Sequence, residues 1–330
     1  KNPVVLASAA LIIGLAVLWM AALKFGLAIS IRNLYLPSIL VVALCALILS
    51  SLFFIKLQKF LVIVLLFISV FELTRFAGKF LSFSKPEYLF PKTQVTEFLE
   101  EKTGSDIFRV AAIDDRIMPG NFSVFYGLQT IGGYDPLYLR RYGEFVATVE
   151  RNKPDISVPF GFNRIIAPKN YNSRFFDLLG VKYILLLNDI NSPKYKKVFQ
   201  EGETRIYENT KVFPRAFMAQ TVQTSTDKQT TINKMFENKD LSKTAIVENY
   251  IGSDKFNLGQ VKINKYSLDE ITLETKNEGI GFLVLTDIYY PSWKAEIDGK
   301  ETKIFLTDYV FRGIVVPAGS HVVRFFVTLW

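Results

Sequence analysis

Two stretches without a charged residue, Pro3–Leu23 and Leu34–Ile55, constrain this chain more than anything else in it. They run for 21 and 22 residues, and an α-helix needs roughly 20 apolar residues to cross a bilayer's hydrocarbon core. Leu, Ile, Val and Phe dominate both, and these are the side chains whose insertion into lipid is favourable. A third run, Phe60–Phe71, has 12 uncharged residues and reaches spanning length only by continuing through Glu72, Thr74 and Arg75 to about Ala77. Its last turns then lie at the membrane interface. A secretory signal would have one apolar core of about 7–15 residues and a small-residue cleavage site, not three successive runs. Helices buried in a soluble core normally keep a polar face, which the first two runs lack. The expectation is three transmembrane helices (about 3–23, 34–55 and 60–77) within residues 1–80.

Charge supports the same division. The net charge is +8, and residues 1–85 hold eight Lys or Arg against one acid, Glu72, which leaves the remainder at +1. The basicity therefore belongs to the membrane edges, where Lys and Arg meet lipid head groups. No basic patch is left for nucleic acid, so that partner class is excluded. The bases fall on both sides of the helices, so charge alone does not orient them. Cys45, the single cysteine, lies inside the second run and cannot form an intrachain disulfide. The chain opens on Lys almost inside a helix, which reads as the C-terminal part of a longer protein.

Glu72, Arg75 and Lys79 are three and four apart and share a helix face. They read as an interfacial group with side chains reaching to water, or, if buried, as polar residues beside a substrate path. From Ser82 to Pro91 the chain becomes polar and proline-bearing, as an exit linker would. Residues 81–243 then read as a mixed α/β domain. Helices are expected at Thr93–Lys102 (Val95, Phe98 and Leu99 inward, stopped by Gly104), at Pro136–Arg151 with Pro in the first turn, at Phe175–Leu179 and at Lys228–Glu237. Strands are expected at Ile107–Ile113, Val181–Leu187, Thr204–Glu208 and Arg215–Thr221. After about Lys243 the period becomes two. Seven short strands from Gln260 to Thr328, with Asp298-Gly299 as a hairpin signal, predict an antiparallel β-sandwich over 244–330.

Most catalytic signatures are missing: the sequence has no Gly-rich phosphate loop, no HExxH and no CxxC. His321, the only histidine, cannot build a multi-ligand zinc site and reads as a surface residue. Asp114-Asp115, at a strand end, reads as a solvated turn rather than an acid/base pair. Asn121–Tyr142 is richer: aromatics, Asp135, Arg140 and Arg141 converge around Gly132-Gly133. Aromatic faces and carboxylates suit sugars, and Arg forks suit phosphates. The same stretch also reads as a loop–helix junction packed by its tyrosines. Tyr289–Trp293, followed by Asp298-Gly299-Lys300, reads first as sandwich core or its packing onto the middle domain, with a carbohydrate-binding rim as the alternative.

These segments, taken in order, resemble the YfhO-like bacterial membrane proteins. The resemblance is carried by Phe90-Pro91, Phe108-Arg109-Val110, Pro119-Gly120-Asn121 and Gly133-Tyr134-Asp135-Pro136-Leu137 with Arg141-Tyr142. It continues through Leu178–Leu185, Tyr289–Ala295 with Asp298-Gly299, and Phe311-Arg312-Gly313 before Pro317-Ala318-Gly319, and so covers about residues 60–330. It implies a multi-pass protein of the bacterial cytoplasmic membrane with residues from about 80 onward extracytoplasmic. It further implies a polytopic GT-C-type glycosyltransferase that takes sugar from a polyprenyl-phosphate carrier and modifies a cell-envelope polymer. In that class the catalytic carboxylate sits in an early outer loop. The first outer loop here, Lys24–Asn33, contains no Asp or Glu, so no complete catalytic site is expected in this segment, nor a cofactor; a divalent metal would belong to the longer protein. The expected role is to position acceptor or donor, with Asn121, Tyr134, Asp135, Arg140 and Arg141 as candidate substrate-binding residues. The alternative is a non-enzymatic, membrane-anchored carbohydrate-binding module of the envelope.

Overall fold

A computed structural model describes residues 3–54, 57–81, 84–159 and 164–327. Ile55, Ser82 and Thr328, where three of the expected segments begin or end, lie outside the described residues. The chain divides into two units, Lys1–Leu89 and Phe90–Trp330.

The first unit is three helices, α1 (Pro3–Lys24), α2 (Ala28–Phe53) and α3 (Leu57–Phe80). Each contains a stretch of at least 22 residues long and apolar enough to cross a membrane, with almost every side chain facing outward. Trp19 Nε1 donates to Ser38 Oγ at 2.7 Å, and that hydroxyl donates to Leu34 O, so these polar groups are satisfied without water. The turn between α1 and α2 is three residues, Phe25-Gly26-Leu27, made possible by the positive φ of Gly26. The ten-residue loop expected at Lys24–Asn33 is thereby corrected: Arg32 and Asn33 lie on α2, which begins six residues earlier than expected. Neither has a helix-breaking side chain, and Arg32 can keep its charge at the interface while its stem lies along apolar surface. Glu72 and Arg75 pair directly at 2.7 Å.

The second unit opens with α4 (Gln94–Thr103). Thr93 accepts from the Thr96 N–H while Thr96 Oγ1 accepts from the Thr93 N–H, a reciprocal cap that fixes the helix start. Val95 and Leu99 are buried, as expected. Strand β1 (Arg109–Ala112) follows, then β2 (Gln129–Thr130), β3 (Gly133–Tyr134), α5 (Arg140–Arg151), β4 (Ile165–Ile166), α6 (Phe175–Leu178), β5 (Val181–Leu186), β6 (Tyr195–Glu201) and β7 (Thr204–Asn209). A five-stranded sheet forms in the order β2-β1-β5-β7-β6, parallel across β2, β1 and β5 and antiparallel beyond. β3 and β4 make a separate two-stranded ribbon. Helix α5 starts at Arg140, not at Pro136 as expected. Asp135 Oδ1 accepts from the Leu137 N–H, and this side-chain turn holds Pro136–Leu139 out of the helix.

The remaining elements are β8 (Ala216–Ala219), β9 (Thr221–Ser225), α7 (Lys228–Glu237), β10 (Thr244–Glu248), β11 (Gly259–Tyr266), β12 (Glu270–Asn277), β13 (Gly281–Ile288), β14 (Trp293–Ile297), β15 (Lys300–Thr302), β16 (Phe305–Thr307), β17 (Phe311–Val316) and β18 (Gly319–Val327). They form a six-stranded sheet, β8-β13-β17-β16-β10-β9, and a five-stranded sheet, β11-β12-β18-β14-β15. The sandwich expected over 244–330 thus draws strands from Ala216–Ser225 as well, and β9 pairs with β10 in parallel rather than antiparallel. Leu283, Leu285 and Ile314 of one sheet meet Leu273, Val323 and Phe325 of the other. The opposite face of the six-stranded sheet, with Phe282, Val284 and Phe311, shares a core with α5, α6 and α7. β13 is therefore buried on both faces, which explains its apolar run Phe282–Leu285. Four of its side chains, Phe282 to Leu285, are fully buried, each worth about 1.5–3 kcal/mol. A third core lies between α4 and the five-stranded parallel-centred sheet.

Candidate functional site

A cavity of about 320 Å³ opens beside the carboxyl ends of β1 and β2, where Ala112 and Thr130 lie in its wall. Ligands of open α/β sheets bind in this position because the loops leaving the parallel strands converge there. The other walls come from Asp115, Pro119-Gly120-Asn121, the Gly132–Tyr134 segment and Ile165–Pro168.

Asn121 sets the geometry. It sits at φ +71°, a left-handed conformation that Asn tolerates better than most residues. From there Oδ1 accepts from the Tyr134 N–H at 2.9 Å and Nδ2 donates to Tyr134 O at 2.7 Å. The two glycines beside Tyr134 are required by close approach. A Cβ on Gly132 would stand 2.4 Å from Ile166 O, and one on Gly133 would stand 2.9 Å from Asn121 Oδ1. The result is a wall carrying the half-exposed Tyr134 beside the Asn121 amide, with Asp115 also lining the cavity. Apolar surface with a few fixed polar groups is the usual make-up of a small-ligand site.

Beyond the Gly132-Gly133 wall lies a second cavity of about 230 Å³, lined by Arg109, Asp135, Tyr138 and Tyr142 among others. Asp135 is anchored by the Leu137 N–H and by its own N–H donating to Arg164 O. Burial pushes the Tyr142 hydroxyl up to about 12, partly offset by Arg109, so it stays neutral.

The sequence candidates divide accordingly. Asn121 and Tyr134 meet on the first cavity and Asp135 faces the second. Arg140 and Arg141 line neither. The Arg140 side chain is 79% exposed, with Nε donating to Glu144. Arg141 is used structurally: its guanidinium donates to Tyr309 O and to Glu248 and lies over the Tyr309 ring. Glu144 ties the same junction together, accepting from Tyr309 Oη at 2.8 Å and Lys228 Nζ at 2.8 Å. Burial raises the Glu144 pKa, but these hydrogen bonds outweigh it and hold the group below its ordinary value.

The acidic pair splits as well. Asp114 is a turn residue whose bonds from Arg116 hold its pKa at about 2, whereas Asp115 lines the cavity. His321, expected as a plain surface residue, lies on β18 and is held at 2.7 Å by Asp298 from the neighbouring β14–β15 turn, which raises its pKa. Trp293 is not a free sugar platform, because the Arg312 guanidinium lies 3.5 Å from its ring centre. Among the described residues no group of three or more His, Cys, Asp or Glu is placed to hold a metal. Thr130 and Ile166 escaped the sequence reading, since nothing in a two-residue strand marks it as a cavity wall.

Three helices long and apolar enough to cross a membrane, followed by an α/β region and a β-sandwich, define a membrane protein with a large folded unit. The particular family follows from comparison: the model of the bacterial membrane protein YfhO matches residues 1–279, and the chain belongs to that family. No curated protein and no solved structure matches the chain.

Proposed function

We propose that this chain is the C-terminal part of a polytopic membrane glycosyltransferase and that the cavity beside Asn121 and Tyr134 positions a glycan. In this reading a polyprenyl-phosphate-linked sugar is transferred to a cell-envelope polymer, and residues from about 80 onward face the outside of the cytoplasmic membrane. The observation that carries it is the Asn121–Tyr134 clamp. It fixes the backbone of Tyr134, a half-exposed tyrosine in the wall of a cavity at the carboxyl ends of parallel strands, where an aromatic face can meet a sugar ring. Family membership supports the reading without naming the sugar or the acceptor.

The test is sugar transfer in membranes bearing the complete protein. Tyr134→Ala should lower transfer by tenfold or more at unchanged membrane abundance, and wild-type transfer by that variant would defeat the assignment. A second reading, glycan binding without chemistry, draws on the carboxylates: among the described residues Asp115 and Asp135 are the acids lining the two cavities, and Asp135 is already held by a backbone N–H. Glycan retention with no transfer by the complete protein would favour it.

A further inference from the structure

Behind the second cavity lies a charge imbalance that the proposed function does not use. Arg109 from β1, Arg215 just ahead of β8 and Arg312 from β17 surround one carboxylate, Asp287 of β13. Arg109 Nη2 and Arg215 Nη2 reach Asp287 Oδ1 at 2.8 and 2.5 Å. All four residues are at most 9% exposed. The other hydrogen-bonding side chains there are neutral: Tyr266, Gln129 and Thr286. Arg312 donates through Nε and Nη2 to Ile288 O, while its Nη1 is buried with no partner.

Three cations against one anion is a poor structural lock, because a buried charge is tolerated only when it is matched. The Trp293 and Tyr266 faces offset part of the excess. They do not neutralise it. Arg109 is the member that borders a cavity: its Nη1 donates to Leu179 O and its Nη2 to Thr286 O and Asp287 Oδ1, which leaves its Nε–H and one Nη1–H for a ligand. It lines the 230 Å³ cavity, with Tyr138 and Tyr142 beside it and Asp135 as the one acid among the lining residues.

We infer that the second cavity binds an oxyanion, a phosphate either free or carried on a small body such as a sugar. Arg109 is the contacting residue, and Arg215 and Arg312 supply the uncompensated positive potential behind it. Arginine suits this role because its guanidinium stays charged when buried and presents several donors to oxygen. Asp135 opposes the anion, its repulsion softened by solvent at the cavity mouth. The inference needs no glycosyl transfer and stands or falls apart from it.

The test is thermal unfolding of the full chain in detergent, followed by tryptophan fluorescence at constant ionic strength. Inorganic phosphate, a hexose 1-phosphate, the bare hexose and chloride are compared. The midpoint should rise with inorganic phosphate or the hexose phosphate and not with chloride or the bare hexose. Tighter binding of the hexose phosphate assigns the site to a sugar-linked phosphate, and equal binding assigns it to free phosphate. Asp135→Asn, an exposed change that leaves the fold intact, should tighten the anion by about threefold to tenfold. Arg109→Gln should abolish the shift, and Lys243→Gln, at a distant exposed position, should keep it. If Arg109→Gln does not fold, the Asp135→Asn comparison decides. Absence of a shift with either phosphate, or a shift that Asp135→Asn fails to strengthen, overturns the inference.

Discussion

Asn121 grips Tyr134 through both ends of its carboxamide, donating to the carbonyl and accepting from the N–H of the same residue. The grip depends on the left-handed backbone at Asn121 as much as on its side chain. Asn121→Ala removes two hydrogen bonds, each worth about 0.5–1.5 kcal/mol, and places a residue with a Cβ at a strained φ. Asn121→Gly removes the same bonds without the strain. Thermal unfolding of the detergent-solubilised chain should therefore rank wild type above Asn121→Gly above Asn121→Ala. Equal midpoints for the two variants would show that backbone conformation contributes nothing.

Arg140 and Arg141 are adjacent in sequence and opposite in consequence. Arg140→Ala removes a 79%-exposed side chain and should change stability by no more than about 0.5 kcal/mol. Arg141→Ala leaves Glu248 and the Tyr309 carbonyl without their shared donor and should cost about 1–3 kcal/mol. Arg141→Lys should recover little, because an ammonium cannot serve both acceptors while stacking on Tyr309. The two alanine variants, unfolded side by side, check this.

Asp308 gives the fold a pH dependence. It is fully buried, with Oδ1 accepting from the Ile246 N–H and Oδ2 unpartnered. Burial pushes its pKa from an ordinary 3.8 up to about 7, against that hydrogen bond. Because the folded pKa is raised, the native state favours the protonated form. The stability is fully present below about pH 4 and is lost as pH rises through about 7. His321, whose pKa is also raised, acts in the same direction, so the informative quantity is the difference between wild type and Asp308→Asn. That difference should grow in favour of the Asn variant from pH 4 to 7, reaching on the order of 1–4 kcal/mol, and then level off. A constant difference across the range would mean that Asp308 titrates normally.

Local signals made much of the fold legible. Helix α7 falls at Lys228–Glu237 as expected, started by Asp227 accepting from the Thr230 N–H. The Asp298-Gly299 turn has the two positive φ values its sequence calls for. Helix α5 starts four residues after the position its sequence suggests, because the Asp135 side-chain turn competes with the helix there and Pro136 fits both. The site was legible only in part. Asn121 and Tyr134 meet because a glycine pair allows their close approach, and that pair is visible in the sequence, whereas Asp135 faces the other cavity. The role of Arg141 is not visible, since Glu248 and Tyr309 lie 107 and 168 residues away. Arg109 and Arg312 each interrupt an otherwise apolar strand. That is the mark of a buried charge, but the carboxylate they share comes from a third strand.

The glycan assignment is tested most directly by a photoreactive amino acid in place of Tyr134, which is 47% exposed and lines the cavity. Bacterial membranes carrying the complete protein with this probe are irradiated, and the protein is examined for a covalently attached glycan. The same probe at Leu268, 99% exposed in the sandwich, sets the background. A glycan adduct at 134 well above that at 268 is the predicted result. Equal labelling at both positions, or none at 134, would contradict the claim that this cavity holds a glycan.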